Sequence, residues 1–526
     1  MPGLDSKILK GIKHATVIER VKLDIRSDFI LAPHFNAIFV SAGDELWSRL
    51  EEQLRSGKYS PELPLTISVP KERGFTRPGS ILQPFDRFLY QALVDSVSRT
   101  LEKNIDRDRA FSHVVSHKAG ELFSPTQSSW EGFQAKIAAI CEEGAYVLKA
   151  DIANYFERIP QHHLINLMSS SGCAGEIVNL LEEMLLAFQE RDSFGIIQGV
   201  YPSDVLGNFF LSDFDAFCEL HGIPSARYVD DIYMAFDTET DARVGLTDLI
   251  ERLRKNGLHL NEHKSGIFEA QRVVRDETAI DRMFAEIRDN IADEIAHTSS
   301  SLYAFDADWE YDQDEDDEEE EGEEEDEDED EDVVEVAAVR RLFREIDNRP
   351  KYADRIERFT LPLLRQGKSD VALEHVLSNL LCKPHQTRLY FSYLSGFVRD
   401  NPEVASALEA ICGSPDLISD YQKMYILAAL MKAPRIKRPT VTIVQHWLQN
   451  RQLPQEVRAL AAIFAMRHGI ATQKRAVKLE YENEPSAYVR GAILYASRYM
   501  TTAERRTCKK AWGAHSTLNA LIAQTI

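Results

Sequence analysis

Two short apolar stretches flank a pair of carboxylates in Ala226-Arg227-Tyr228-Val229-Asp230-Asp231-Ile232-Tyr233-Met234-Ala235-Phe236. β-Branched and aromatic residues on both sides predict two strands joined by a tight acidic turn. A second apolar run, Tyr146-Val147-Leu148-Lys149-Ala150, ends in Asp151, with an aromatic residue at Phe156. It reads as a separate strand that delivers one more carboxylate. Beyond residue 333 the pattern changes to helical spacing throughout. Pro454-Gln455-Glu456-Val457-Arg458-Ala459-Leu460 partly recurs as Pro485-Ser486-Ala487-Tyr488-Val489-Arg490-Gly491, with apolar positions kept in register after each Val-Arg. The recurrence predicts stacked helix pairs sharing one core, as in a short HEAT-like array, with a plain helical bundle as the alternative.

Charge divides the chain in three. The net charge of −24 would sit badly with a polyanionic partner if it were spread evenly, but it is not. Asp312 to Asp332 holds 19 acidic residues in 21 positions, interrupted by Gln313 and Gly322. After Val333 the balance is +12, and residues 1–311 carry −17. The acidic run cannot fold alone, because like charges repel and nothing apolar is there to bury. It reads as a solvated linker or insertion; the sharper alternative is a mimic of a nucleic-acid backbone that competes for basic surface. Lys432, Arg435, Lys437 and Arg438 offer such surface on the helical side, or simply a solvated face. The expected domains are therefore 1–300, an acidic disordered segment over 301–335, and an all-α domain over 336–526.

The remaining composition excludes several classes. No apolar run approaches membrane-spanning length and no signal-peptide pattern opens the chain, so a cytoplasmic protein without a membrane partner is expected. The six cysteines are scattered with no C-x-x-C pair, which argues against a zinc module or a disulfide framework.

Adjacent aspartates at a hairpin tip repel each other, and a divalent cation would remove that repulsion. Asp151 supplies a third carboxylate; taken alone it equally suits the cap of a helix starting near Asn154. Five blocks in order settle the comparison. They are Val69-Pro70-Lys71-Glu72-Arg73-Gly74-Phe75-Thr76-Arg77-Pro78 with Pro84-Phe85-Asp86-Arg87; Asp151 to Phe156; Gln198-Gly199-Val200-Tyr201-Pro202-Ser203 into Leu206-Gly207-Asn208; the Tyr-Val-Asp-Asp hairpin; and Leu258-His259-Leu260-Asn261-Glu262-His263-Lys264-Ser265. Over residues 65–266 the chain resembles the fingers and palm of a reverse transcriptase.

The resemblance implies an α+β, right-handed polymerase with an antiparallel palm sheet. It implies a metal set of Asp151, Ile152, Asp230 and Asp231, with Asp151 and Asp230 bridging two Mg²⁺ ions and Mn²⁺ as a substitute. Lys71, Arg73 and Arg77 would meet the triphosphate, the planar fork of arginine suiting phosphate oxygens. Phe156 would be the gate that clashes with a 2′-hydroxyl and selects deoxynucleotides. Gln198 and Gly199 would line the nucleotide pocket, and Lys264 would protonate the departing pyrophosphate. Each of these positions also has an ordinary structural use, from a basic surface turn to a core aromatic.

Domain order and the N-terminal pattern Ile18-Glu19-Arg20-Val21-Lys22-Leu23-Asp24-Ile25-Arg26, followed by Phe29-Ile30-Leu31-Ala32-Pro33, resemble the bacterial abortive-infection and "unknown group" reverse transcriptases, which defend against bacteriophage. No cysteine-rich endonuclease, ribonuclease H or protease signature accompanies them. The resemblance implies dNTP substrates, RNA or DNA partners, and synthesis that is template-independent or primed from a tyrosine; none of the 18 tyrosines is singled out. Oligomerisation is left open. The alternatives are a retron-type enzyme copying a dedicated noncoding RNA, and a catalytically silent scaffold that binds nucleic acid or a partner.

Overall fold

The computed structural model describes residues 6–118, 120–190, 192–285, 287 and 329–526. Residues 312–328 of the acidic run lie outside them; its last residues open the helix Glu329–Arg344.

Two antiparallel sheets carry the first half. Strands β1 (Leu65–Pro70) and β2 (Thr76–Ile81) form a hairpin in register Leu65↔Ile81 to Pro70↔Thr76. Ile67 and Val69 are buried between exposed Thr66 and Ser68, the alternation of a strand with one covered face. The hairpin turns through Arg73 and Gly74, both at positive φ. The second sheet has the order β4-β5-β3-β6, from β3 (Tyr146–Asp151), β4 (Ser225–Tyr228), β5 (Asp231–Phe236) and β6 (Gly266–Glu269), all antiparallel. Its outer β4 edge is covered by Arg109–Phe111, which exchange backbone hydrogen bonds with Arg227 and so remove a bare strand edge.

Side chains of this sheet divide between two faces, as period two requires. Leu148, Ala150, Ile232 and Met234 enter the main core. Val147, Ala226, Tyr233 and Ala235 pack on the helices Thr126–Glu143 and Ala270–Glu277. The helix Glu239–Lys255 starts at a Thr238 cap whose hydroxyl accepts from the Asp241 amide, and lies on the sheet where Gly245 meets the Phe236 ring. Any Cβ there would stand 2.3 Å from that ring.

Beyond Glu329 the structure is helical. Alternate helices pack side by side: Ala353–Gln366, Thr387–Ser395, Asp420–Leu430, Gln455–His468, Ala487–Ala496 and Thr517–Gln524 make one row. Pro402–Cys412, Arg438–Gln449 and Ala471–Asn483 make part of a second row over it. The first row is the inner one: in Gln455–His468 every residue from Glu456 to Met466 is buried, as expected of a helix covered on all sides. The repeated arginines meet between the two copies. Arg458 pairs with the Glu484 carboxylate, and Arg490 donates to the Glu484 carbonyl at 3.2 Å.

This array is not a separate body. One continuous apolar core runs from Leu9 to Ala523. Asp420–Leu430 and Gln455–His468 pack on β1, and Thr517–Gln524 packs on the N-terminal helix Pro33–Ser41. His34 and Phe35 of that helix lie against Tyr488, ring centroids 4.4 and 5.0 Å away. The Tyr425 hydroxyl donates to the Phe29 carbonyl at 2.8 Å. The helix Ala353–Gln366 reaches both sheets: Arg358 lies 3.7 Å from Glu72 in the β1–β2 turn, and Arg355 lies 3.2 Å from Glu277 behind the four-stranded sheet. Among the described residues no helix is long and apolar enough to cross a membrane.

Candidate active site

The hairpin β4–β5 closes with Tyr228 opposite Asp231, leaving Val229 and Asp230 as a two-residue turn. Val229 has φ +56°. A valine there is rare, since its Cβ crowds the neighbouring backbone; glycine is the usual occupant, and such strain costs about 1–3 kcal/mol. It persists because the turn is held from below. The Val229 amide donates to the Ser112 hydroxyl at 2.9 Å, and Asn208 Nδ2 donates to the Ser112 carbonyl at 2.7 Å. Arg227, with 0% of its surface exposed, donates to Asn208 Oδ1 at 2.6 Å and forks onto both Asp215 oxygens at 2.6 and 2.7 Å. The carboxylate pair thus stands on a buried, bonded polar platform. Replacing Asp215 with alanine would leave that guanidinium unpaired and lower stability by about 3–5 kcal/mol. A denaturation midpoint within about 0.5 kcal/mol of the wild-type value, the scale of an ordinary surface change, would show that the platform contributes nothing.

Asp151 ends β3 directly opposite Asp231 in the β3–β5 register. The two lie on the sheet face that also carries Lys149 and Tyr233, at its open end. Asp151 does not cap the helix that follows: Asn154, left-handed at φ 50°, precedes Tyr155–Arg158, and the Asp151 oxygens turn elsewhere. Lys264 Nζ lies 2.9 Å from Oδ1, and Asn261 Nδ2 donates to Oδ2 at 3.0 Å. The Asp151 amide in turn donates to the Ser265 hydroxyl at 3.1 Å. Burial, followed by repulsion from Asp231 and Asp151, pushes the Asp230 carboxyl up to about 7. Of the cations nearby, Lys149 is engaged 2.6 Å from Glu277, and Lys264 is largely solvated.

Three facing carboxylates with too little positive charge make a donor set suited to a hard divalent cation. Ile152 can add only its main-chain carbonyl, since its side chain is hydrocarbon and has no ligand atom. A tighter group stands elsewhere: ligand atoms of Glu72, Asp354 and His385 lie within 4.8 Å of one another. That group already holds cations, with Lys383 2.9 Å from Asp354 and Arg358 near Glu72, so it reads as an ion-paired seam.

The residues expected to hold a nucleotide fall into two places and one outlier. Lys71 reaches Asn154 at 3.3 Å, beside the Asp151 loop. Phe156 leans on the helix Tyr201–Phe210, where a Cβ on Gly207 would come within 2.9 Å of its ring. Arg77 stacks over Phe29 at 5.0 Å, and the same ring covers Gly199, 2.0 Å from where a Cβ would stand. Gly199 has φ +83°, so this close approach and this backbone both require glycine. Gln198 lines a small cavity with Phe29 and Arg87. Arg73 is exposed at the hairpin tip, apart from the others.

Several supporting residues have no role assigned from sequence. Ser112, Asn208, Asp215 and Arg227 form the platform, and Asn261 and Ser265 orient Asp151. Asp24 and Asp28 clamp Arg87 at 2.7–2.9 Å, while Asp24 also accepts from the Tyr201 amide. A signal existed for Arg227, a charged residue at an inward strand position.

Residues 69–290 match the family model described as reverse transcriptase (RNA-dependent DNA polymerase). This segment is a reverse transcriptase domain. The chain carrying it is an RNA-directed DNA polymerase. No curated protein matches the chain. Among solved structures, telomerase from Candida albicans in complex with a TWJ fragment of telomeric RNA is 9% identical, with 84% of this chain and 70% of that one covered and a TM-score of 0.32. Apo telomerase from Candida tropicalis is 11% identical, covering 89% and 73%, with a TM-score of 0.31. The Candida tropicalis enzyme with the TWJ fragment is 12% identical, covering 77% and 67%, also at 0.31.

Proposed function

We propose that this reverse transcriptase adds deoxynucleotides by two-metal catalysis at Asp151, Asp230 and Asp231, and serves in antiphage defence. The observation that carries the catalytic part is the pairing of Asp151 with Asp231 across β3–β5, with Asp230 on the strained turn beside them. When bound, divalent cations at these carboxylates, Mg²⁺ by the chemistry of the donor set, would activate a 3′-hydroxyl and neutralise triphosphate charge. The chain's own residues do the rest. Lys71 and Arg77 hold phosphate oxygens, Phe156 excludes a 2′-hydroxyl, and Gln198–Gly199 lines the nucleotide pocket with its glycine packed on the Phe29 ring. Lys264, within bonding distance of Asp151, orients that carboxylate and is placed to give a proton to the leaving pyrophosphate. The defence role rests on domain order, a polymerase core followed by a HEAT-like array, and on the N-terminal segment that packs under Gly199.

Metal binding is testable without activity. Because the Asp230 carboxyl is raised to about 7, its ionised form is held at a cost, and stability is lost as pH rises through that value. A bound cation favours the ionised form, so Mg²⁺ should raise Tm more at pH 8 than at pH 6, and hardly at all in Asp230→Asn. Equal shifts in both proteins would place the ion elsewhere.

The function itself is tested by incorporation with purified full chain and Mg²⁺, supplying dNTPs or NTPs with and without an RNA template and DNA primer, half of each product being protease-treated. Template-dependent DNA synthesis is the conventional outcome. DNA made without template and shortened by protease means protein priming. No incorporation in any arm, with Mn²⁺ also tried, would favour the scaffold reading or a missing noncoding RNA.

A further inference from the structure

We propose that Trp130 packs against the 3′-terminal nucleotide of the growing strand and holds its hydroxyl beside Asp230 and Asp231. The inference rests on the carboxylate site proposed above and adds to it a positioning residue from the helix Thr126–Glu143.

That helix runs lengthwise along the four-stranded sheet, on the face that carries Tyr233 and Asp231. Its far end lies away from the carboxylates: a Cβ on Gly144, just past the helix, would stand 2.8 Å from the Phe236 amide nitrogen. Its near end lies beside them. In its second turn the Trp130 ring meets Tyr228, centroids 5.3 Å apart and planes at 81°. Tyr228 in turn pairs with Asp231 across β4–β5. One ring contact and one cross-strand pair therefore join Trp130 to the reacting end of the sheet.

Among the described residues Trp130 is the one exposed tryptophan, with 47% of its surface in solvent. It is held firmly all the same. Phe133 supports it from the same helix, 5.5 Å between centroids, and itself lies 5.4 Å from Tyr228 and 5.7 Å from Tyr233. Packed rings fix one side of Trp130 and leave the rest open, a flat, preoriented surface of the kind that nucleotides pack on whatever their sequence. Position selects which nucleotide. Sheet order sets Tyr228, Asp231 and Asp151 in a row at the ends of β4, β5 and β3. The triphosphate side is the β3 side, where Lys71 reaches Asn154 in the loop after Asp151. Trp130 stands on the β4 side, across the carboxylates. With the incoming nucleotide on one side, the strand terminus that attacks it occupies the other.

The test uses the full chain with Mg²⁺ and a DNA primer annealed to an RNA template. The fluorescent base 2-aminopurine stands at the primer's 3′ end or, in a second primer, about six nucleotides upstream. Wild type is compared with Trp130→Ala, Trp130→Leu, Trp130→Phe and the control Phe194→Ala, an aromatic of similar exposure at 44%. Losing one stacked ring predicts about tenfold weaker primer–template binding in Trp130→Ala. Trp130→Leu, which keeps apolar packing on Phe133, binds as weakly. Trp130→Phe recovers most of the affinity, and Phe194→Ala binds like wild type. At saturating protein the emission change of the terminal probe is lost in Trp130→Ala and Trp130→Leu, while that of the upstream probe is kept. In steady state the KM for dATP stays unchanged. Primer–template affinity within twofold of wild type in Trp130→Leu overturns the proposal; so does a loss confined to dATP, or an upstream probe that responds in place of the terminal one. If Trp130→Ala unfolds, the contrast between Trp130→Leu and Trp130→Phe carries the test. Incorporation that survives Asp230→Ala fails the carboxylate site itself, an outcome read from a different variant.

Discussion

Asp230→Ala lowers deoxynucleotide incorporation by about 10³-fold or more, while the protein stays folded. Removing a ligand from a two-metal site forfeits several kcal/mol of transition-state stabilisation, and about 1.4 kcal/mol is a factor of ten in rate. Stability moves the other way, because Asp230 faces Asp231 and Asp151 and its charge is held at a cost. The strained Val229 turn stays anchored through its own amide to Ser112 rather than through the Asp230 side chain. The expected pair of results is therefore lost incorporation with an unchanged or raised Tm. Activity within tenfold of wild type would remove these carboxylates from the chemistry; loss accompanied by unfolding would make Asp230 a structural residue.

A chain cut after residue 335 does not fold. The array is not an appendage, since its helices supply part of the core that the N-terminal half needs. Removing it uncovers Phe35 and His34 where Tyr488 lay, the face of β1 under Asp420–Leu430, and the side of Pro33–Ser41 under Thr517–Gln524. Each large apolar side chain returned to water forfeits about 1.5–3 kcal/mol, and domains have only about 5–15 kcal/mol in hand. The expected outcome is an insoluble or aggregated 1–335 fragment. A monodisperse fragment that melts cooperatively and incorporates dNTPs would show that the two halves are independent.

The contrast between the halves shows what sequence can carry. The two strands around Asp230–Asp231 and the strand ending at Asp151 were readable because apolar runs stopped abruptly at carboxylates. Their mutual placement follows from sheet register, which a local pattern does not encode. Arg227 and Asp215 are only a dozen residues apart, yet their pairing depends on the helix Ser212–Leu220 folding back under β4. The Val-Arg recurrence exposed two helices of the array. The other helices showed helical spacing but no repeat, and in Asp420–Leu430, buried along most of its length, no polar stripe marks which face meets β1. Phe29 and Asp24 were visible only as part of a family-like pattern; their work, backing Gly199 and clamping Arg87, exists only in the folded chain.

The helix Ala353–Gln366 carries Arg355 and Arg358 one turn apart, the first anchored behind the four-stranded sheet and the second at the tip of the β1–β2 hairpin. It pins both at once, through two contacts about one helical turn, or 5.4 Å, apart. Prising them apart means surrendering an ion pair, and the arginine of each is 42% or more exposed, so dissolved salt weakens the grip. Dissolved salt therefore loosens this helix at the four-stranded sheet and at the hairpin tip together.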